Sequence, residues 1–360
     1  VSGRLRVTAA NLLNYFNTFG TNACTAGVGG VATDCRGADN STEFSRQWPK
    51  TVANLVEGGA DVIGIMEIEN DGYGSSSAIQ DLVTRLNAAT AAGTYAFINA
   101  DAATSQTNAL GTDAIKVGLI YKPGVVTPVG TTAALNSTAF VNGGDGAARN
   151  RPALAQAFQE NSSGQRFIVV VNHLKSKGSA CTAPDAGDGQ GNCNAVRVNA
   201  VNTMLTWLAG NPTGTGDPDI LIMGDLNSYA QEDPITAIKG AGYVNLIESR
   251  LGADAYSYAF DGQWGYLDHA LATNSLNAQV AGVEEWHINA DEPSVLDYNT
   301  EFKTPGQLVS LYAADRFRSS DHDPVIIGLN LVNPLAVTLA GFDAQAQGSQ
   351  VLVSWATVSE

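Results

Sequence analysis

The chain has 360 residues, 44% of them hydrophobic, with 38 Gly and 12 Pro, which is enough apolar material for one large α/β domain or two smaller ones. A formal charge of −16 and a pI near 4.5 exclude a protein that coats nucleic acid through a broad basic face. They do not exclude an enzyme that meets phosphate through metal ions and a few local cations, and no apolar run is long enough to span a membrane.

In chain order, Leu5–Ala10 alternates as a strand and ends at Asn11. A polar loop, Asn17–Asn40, follows. Phe44–Glu57 has helical spacing, and Gly58-Gly59 stops it. Asp61–Met66 reads as a short buried strand ending in Glu67, and Ala78–Ala91 as a second amphipathic helix. Ile115–Tyr121 is a strand turned by Lys122-Pro123-Gly124. Val125–Val141 is β-rich and peripheral. Arg149-Asn150-Arg151-Pro152 leads into a strand at Ala153–Phe158. Phe167–Val171 runs into Asn172-His173-Leu174-Lys175, Ala195–Leu208 is helical, and Ile220–Met223 ends in Gly224-Asp225-Leu226-Asn227. Ile235–Gly240 is a short helix and Tyr256–Phe260 a strand. Asp268-His269 enters a strand at Ala270–Leu276. An irregular stretch, Glu284–Ser310, precedes Ser320-Asp321-His322-Asp323-Pro324 and the buried strand Val325–Leu329. Strands that alternate with helices, broken by hairpin-like runs, predict an α/β layered domain with mixed sheets.

After Leu331 the character changes. Asn333-Pro334 reads as a linker, and Leu335–Ala340 and Val351–Trp355 as two strands around a polar turn at Gln345–Gln350. The expected division is a catalytic domain over 1–331, followed over 332–360 by a linker and the start of a truncated β-sandwich-like domain. A further C-terminal domain is thus expected beyond this sequence.

The four cysteines fall in two close pairs, Cys24 with Cys35 and Cys181 with Cys193, each in a Gly/Asn/Asp-rich loop. Two loop-closing disulfides fit an exported protein, although four cysteines allow two other pairings. No signal peptide precedes Val1, so secretion is inferred from the cysteines alone.

Polar residues recur just past strand ends, where α/β folds build their sites. Asn11, Glu67, Asp225, Asn227 and Asp321 offer oxygen donors without cysteine, a set that suits Mg²⁺, Mn²⁺ or Ca²⁺ rather than structural zinc. His173 and His322 are available for proton transfer, and Asp268 for fixing one imidazole. Singly, each has a plain structural alternative: a cap, an Asx turn, a buried hydrogen-bonded histidine. Lys175, Lys177 and Arg197 read equally as a local phosphate track or as solvated charge. His269 and His287 are taken as structural.

In order along the chain, these motifs resemble the endonuclease/exonuclease/phosphatase superfamily, the DNase I-like fold. Asn172–Ser179, Gly224–Ile235 and Gly262–Ala270 more narrowly resemble secreted bacterial endonucleases of the ExeM/NucH type. The resemblance spans roughly residues 4–331. It implies a four-layered α-β-β-α sandwich and a divalent-metal phosphodiesterase acting on DNA, with RNA as a further candidate, and a monomer is expected. By motif, Asn11, Glu67, Asp225, Asn227 and Asp321 would hold or surround the metal, Mg²⁺ or Mn²⁺, with Ca²⁺ as a structural or activating alternative. His322, oriented by Asp268, would act as general base or hold the phosphate. His173 would act as acid or phosphate ligand, and Arg151 and Asn172 would contact phosphate. One departure is that the acid expected to pair with His173 has only Asp113 as a nearby candidate, out of register. The competing functions are a phospholipid or inositol-phosphate phosphodiesterase or phosphatase, and a non-catalytic adhesion module. Against the lipid reading, Trp264 and Tyr266 stand too close to Asp268 to form a free apolar tip.

Overall fold

The computed structural model describes residues 1–332, 338–348 and 350–358. Two six-stranded mixed sheets dominate it. The first runs, edge to edge, Val280–Glu285, Val325–Leu329, Leu5–Tyr15, Val62–Glu69, Ile115–Tyr121 and Ala96–Phe97. The second runs Val244–Asn245, Asp268–Ala272, Ile220–Asp225, Arg166–His173, Arg151–Glu160 and Val126–Leu135. Both sheets carry one parallel pair at the centre, Leu5–Tyr15 with Val62–Glu69 and Ile220–Asp225 with Arg166–His173, flanked on each side by antiparallel strands.

Burial explains why the central strands are apolar almost throughout. Val169 and Val171 point into the core between the sheets with Val7, Val62 and Met223, while Ile168 and Val170 face the helices on the outer side with Val201 and Met204. The first sheet does the same: Ile63 and Ile65 pack outward against Leu55 and Leu82. A strand covered on both faces needs no polar alternation. The result is the expected α-β-β-α sandwich. The two sheets approach closely at Gly64 of the first, where an added Cβ would lie 2.6 Å from Met223 Cε and 2.8 Å from Val171 Cγ2.

The predicted helix over 44–57 extends over Ser41–Gly58. Asn40 caps it through the Thr42 and Glu43 amides, and Gly59 closes it at φ +69°. Both cysteine pairs form the expected disulfides, Cys24–Cys35 and Cys181–Cys193. Three local expectations need correction. The stretch 125–141 is an edge strand, Val126–Leu135, that ends in a short helix at Thr138–Asn142. The strand after Asp268 stops at Ala272, and Leu276 is buried within a helix at Asn274–Asn277. Glu284 begins no irregular stretch, because it lies in an edge strand, Val280–Glu285, whose Gly282 and single-sided pairing leave little strand signature. At the C-terminus the two alternating runs form a hairpin, Thr338–Gln347 with Gln350–Val358. The Asn333-Pro334 linker and the first residues of the Leu335–Ala340 run lie outside the described residues. Among the described residues no helix is long and apolar enough to cross a membrane.

Candidate active site

The two parallel pairs end at the same place. Asn11 follows Val7 and Ala9 at strand period two, His173 follows Val169 and Val171, and Asp225 follows Leu221 and Met223. All three therefore share the inter-sheet face of the core residues before them. Gly224, at φ +121°, makes this possible in the second sheet: a Cβ there would lie 2.2 Å from the Asn172 carbonyl oxygen. Glu67 would by the same alternation face the outer helices with Ile63 and Ile65. A bulge between Ile65 and Ile68, with Glu67 at φ +62°, turns it inward. Leu13, Asn14 and Asn227 also have positive φ, so four non-glycine residues in left-handed backbone surround one spot. Such conformations cost of order 1 kcal/mol or more each and gather at functional sites.

Ligand atoms of Glu67, His173 and Asp225 lie within 4.8 Å of one another. His173 Nε2 is 3.6 Å from Asp225 Oδ2 and 3.8 Å from Glu67 Oε1. Asn11 spans the two carboxylates with its amide nitrogen, which donates to Glu67 Oε1 at 3.2 Å and Asp225 Oδ2 at 3.5 Å. Its oxygen accepts from the Leu13 amide. Asn11 thus orders the two carboxylates. The Asn14 amide holds Glu67 Oε2 at 3.1 Å, and the Asn227 amide holds Asp225 Oδ1 at 2.8 Å. Asn227 Nδ2 is committed to the Leu174 carbonyl. Burial pushes Asp225 up to about 7, with the neighbouring charges of Asp268 and Glu67 adding to the rise against the pull of His322. Glu67 is raised for the same first reason, helped by Asp321. His173 is held well below its ordinary value by burial and by Arg151, His322, Arg36 and Lys175, so its imidazole is neutral. Converging hard carboxylates whose charge is disfavoured, beside a neutral imidazole nitrogen, form a donor set that fits a divalent cation. The acid of this group nearest to His173 is Asp225. Asp113 is turned elsewhere, toward Arg36 and Arg151.

On the other side of the cluster, His322 Nδ1 meets Asp268 Oδ2 at 2.7 Å, as the sequence reading anticipates. Ser257 Oγ donates to the same oxygen at 2.8 Å, and the Tyr258 ring tilts over the imidazole with centroids 4.6 Å apart. Burial alone would depress His322. The charges of Asp268 and Asp321 and the Asp268 hydrogen bond outweigh it and hold the ring protonated well above its ordinary range. The loop itself is clamped. Asp323 accepts from the Ile288, Asn289 and Ala290 amides and from His287 Nδ1, and Asn289 Nδ2 donates to the His322 carbonyl. Ser257, Tyr258 and Asn289 were not singled out from the sequence, since no local pattern marks residues that act on Asp268 or His322 across 11, 64 and 33 positions.

Several expected contacts fall elsewhere. Asn172 points to the outer face, fully buried, with Nδ2 on the Val170 carbonyl, so it meets no phosphate. The suggested phosphate track also fails as a track. Arg197 is fully buried and donates to the carbonyls of Lys175 and Asn192, and Lys177 is tied to Glu232 at 2.6 Å. Tyr266 is buried, as expected of a residue so close to Asp268, but Trp264 is 54% exposed and Phe260 60% exposed on a hairpin of Tyr258–Phe260 with Gln263–Gly265, so an exposed apolar pair does stand there. His269 is structural as expected. Its Nε2 lies 2.7 Å from the Ser228 carbonyl and must donate to it, which leaves Nδ1 buried without a partner. Burial lowers its pKa to about 4. A histidine that ionises near 6.5 when unfolded and near 4 when folded takes up its proton first in the unfolded chain, so stability falls as pH drops through that window. His269→Gln is expected to keep the donor and lose the titration. Between pH 7 and pH 4.5 the wild type should lose about 2 to 3 kcal/mol more than the variant in urea unfolding. Equal losses would show that His269 is not the source.

The α-β-β-α sandwich with carboxylates and histidines gathered at the ends of its central strands is the architecture of the DNase I-like hydrolases. The sequence model of the endonuclease/exonuclease/phosphatase family matches residues 16–322, and the chain belongs to that family of nucleases and phosphatases. Comparison with curated proteins returns no significant match. Among solved structures, the chain is similar to an endonuclease/exonuclease/phosphatase family protein of Bacteroides thetaiotaomicron, with TM-score 0.55 and 14% identity over 90% of this chain and 96% of that one. It is also similar to a mannosyl-6-phosphatase of the same species, with TM-score 0.54 and 14% identity over 91% and 100%. D. rerio TDP2, solved with a single-strand DNA product, gives TM-score 0.50 and 13% identity over 91% and 99%.

Proposed function

We propose that the chain is a secreted, divalent-metal-dependent endonuclease that hydrolyses phosphodiester bonds of DNA, of the ExeM/NucH type. The observation that carries this is the convergence of Glu67, from one sheet, with His173 and Asp225, from the other, opposite an Asp268–His322 pair. Glu67, Asp225 and His173 would hold the cation, with Asn11 and Asn227 fixing the carboxylates and Asp321 at the rim. A bound divalent cation supplies charge neutralisation at the phosphate and activation of water. The protein's own part is then division of charge. His322, kept cationic by Asp268, is set to donate from Nε2 to a phosphate oxygen, whereas service as a base would first need that proton to leave. His173, neutral and seated among the carboxylates, is placed as a ligand more than as an acid. The Cys24–Cys35 and Cys181–Cys193 disulfides support an extracytoplasmic setting.

A second reading, hydrolysis of lipid phosphodiesters, draws support from the exposed Phe260 and Trp264 beside Tyr258. Incubation with supercoiled plasmid separates the two. Nicked and linear DNA should accumulate in Mg²⁺ and not in excess EDTA. Plasmid that stays closed in Mg²⁺, Mn²⁺ and Ca²⁺ in turn would end the nuclease reading, and release of headgroup from phospholipid vesicles would replace it.

A further inference from the structure

Beside the site of this acidic chain, Arg36, Arg149, Arg151 and Lys175 gather around Asp113 and Asp145. Arg151 is paired with His173 across the Arg151–Glu160 and Arg166–His173 strands. Its Nε lies 3.4 Å from Asp113 Oδ2, and the other oxygen of that carboxylate takes Arg36 Nη1 at 3.1 Å. One carboxylate therefore serves two guanidiniums. Arg36 has no partner but Asp113 among the described residues, and its side chain is 42% exposed. Arg149 reaches Asp145 through Nη2 at 3.1 Å, while the Nε atoms of both Arg149 and Arg151 are buried without a hydrogen-bond acceptor. Lys175 Nζ bonds only to oxygens of Ser176 and Ser179. Four cations thus stand against two carboxylates. Of the four, Arg36 and Arg149 open onto one cavity of about 340 Å³, lined also by Thr33, Thr112, Asn136 and the Asp113 carboxylate that Arg36 neutralises.

Guanidinium groups with uncommitted N–H donors recognise phosphate through paired, charge-assisted bonds, and a cavity of this size takes a nucleotide-sized ligand. Arg36 has a specific origin: it directly follows Cys35, so the Cys24–Cys35 disulfide anchors it at the cavity mouth. We propose that this cavity is a second phosphate subsite, which receives the phosphodiester neighbouring the scissile one, with Arg36 as a positioning residue for polynucleotide. This rests on the nuclease reading and adds to it an explanation of how a chain of charge −16 holds DNA: through a short local run of cations starting at Arg151.

The test compares two substrates, a single-stranded oligonucleotide and bis(p-nitrophenyl) phosphate, a diester with no neighbouring phosphate. Arg36→Ala should raise KM for the oligonucleotide about 10-fold with kcat little changed, and leave hydrolysis of the small diester as in wild type. Arg36→Lys should recover part of the loss, and Arg250→Ala, which removes an exposed arginine bound to Asn277, should show no loss. In anisotropy titrations without metal, the slope of log affinity against log salt should shrink by about 0.7, one phosphate contact on a single strand. An unchanged oligonucleotide KM with active small-diester hydrolysis would overturn the subsite and leave the hydrolase reading standing. Equal losses on both substrates would also overturn it, because Arg36 would then act at the scissile phosphate or on the fold. Failure of the wild type on both substrates would remove the nuclease reading and the subsite together.

Discussion

Asp225→Asn is expected to lower kcat/KM on plasmid DNA by about 10³-fold, equivalent to about 4 kcal/mol of transition-state stabilisation. The substitution keeps the shape and the acceptor for the Asn227 amide but removes the charge on which His173 Nε2 and the cluster converge. The same change should stabilise the metal-free protein. Asp225 ionises near 7 in the fold, above the usual range for a carboxyl, so the folded state holds its proton where the unfolded chain has lost it. Stability of the wild type from this group is therefore full below about pH 4 and falls as pH rises through 7. In EDTA at pH 8 the variant should melt above wild type, and the gap should close toward pH 4. Activity within 10-fold of wild type would take Asp225 out of the chemistry. A lower melting temperature in EDTA would show that its charge is compensated.

His322→Ala is expected to lose at least about 10²-fold in activity with the fold retained, and Asp268→Asn a comparable amount. Asp268 is buried, and its Oδ2 accepts from both His322 Nδ1 and Ser257 Oγ, so its removal frees the ring and strips its main counter-charge. In Asp268→Asn the imidazole should titrate well below its wild-type value, measurable by NMR of the ring carbons. The pH profile then separates the two roles. If the cation holds phosphate, kcat/KM falls as pH rises through the His322 titration, and it is this alkaline limb that moves down in Asp268→Asn. An acid limb that moves instead would restore His322 as the base. A folded His322→Ala enzyme with near wild-type turnover would exclude both.

Strand-end residues were legible in the sequence because a buried strand leaves little choice. Once Val169 and Val171 are committed to the inter-sheet core, period two sends His173 to the same face, and the same holds for Asn11 and Asp225. The Ser320–Pro324 motif was equally legible, since Asp-His before an apolar strand stands out locally. Glu67 was identified by type and position, but its direction was not. Only the bulge, with its left-handed residue, brings it inward. Asn172 shows the opposite case, where the motif suggests phosphate and the pleat turns the side chain away.

The sequence by itself determined the layered α/β class, the two close cysteine pairs as the preferred disulfides and the order of the site motifs, because each rests on local periodicity or loop chemistry, whereas the Asp268–His322 partnership, 54 positions apart, is legible only through the family resemblance. Only the tertiary structure decided what the cations do. Arg197 reads equally as part of a phosphate track or as surface charge, yet it is fully buried where the loops return the carbonyls of Lys175 and Asn192 to it. Arg36 reads as a loop residue, yet Asp113, 77 positions later, brings it beside Arg151. Long side chains take their partners from whatever the fold places within reach, and at such separations no local spacing encodes that reach.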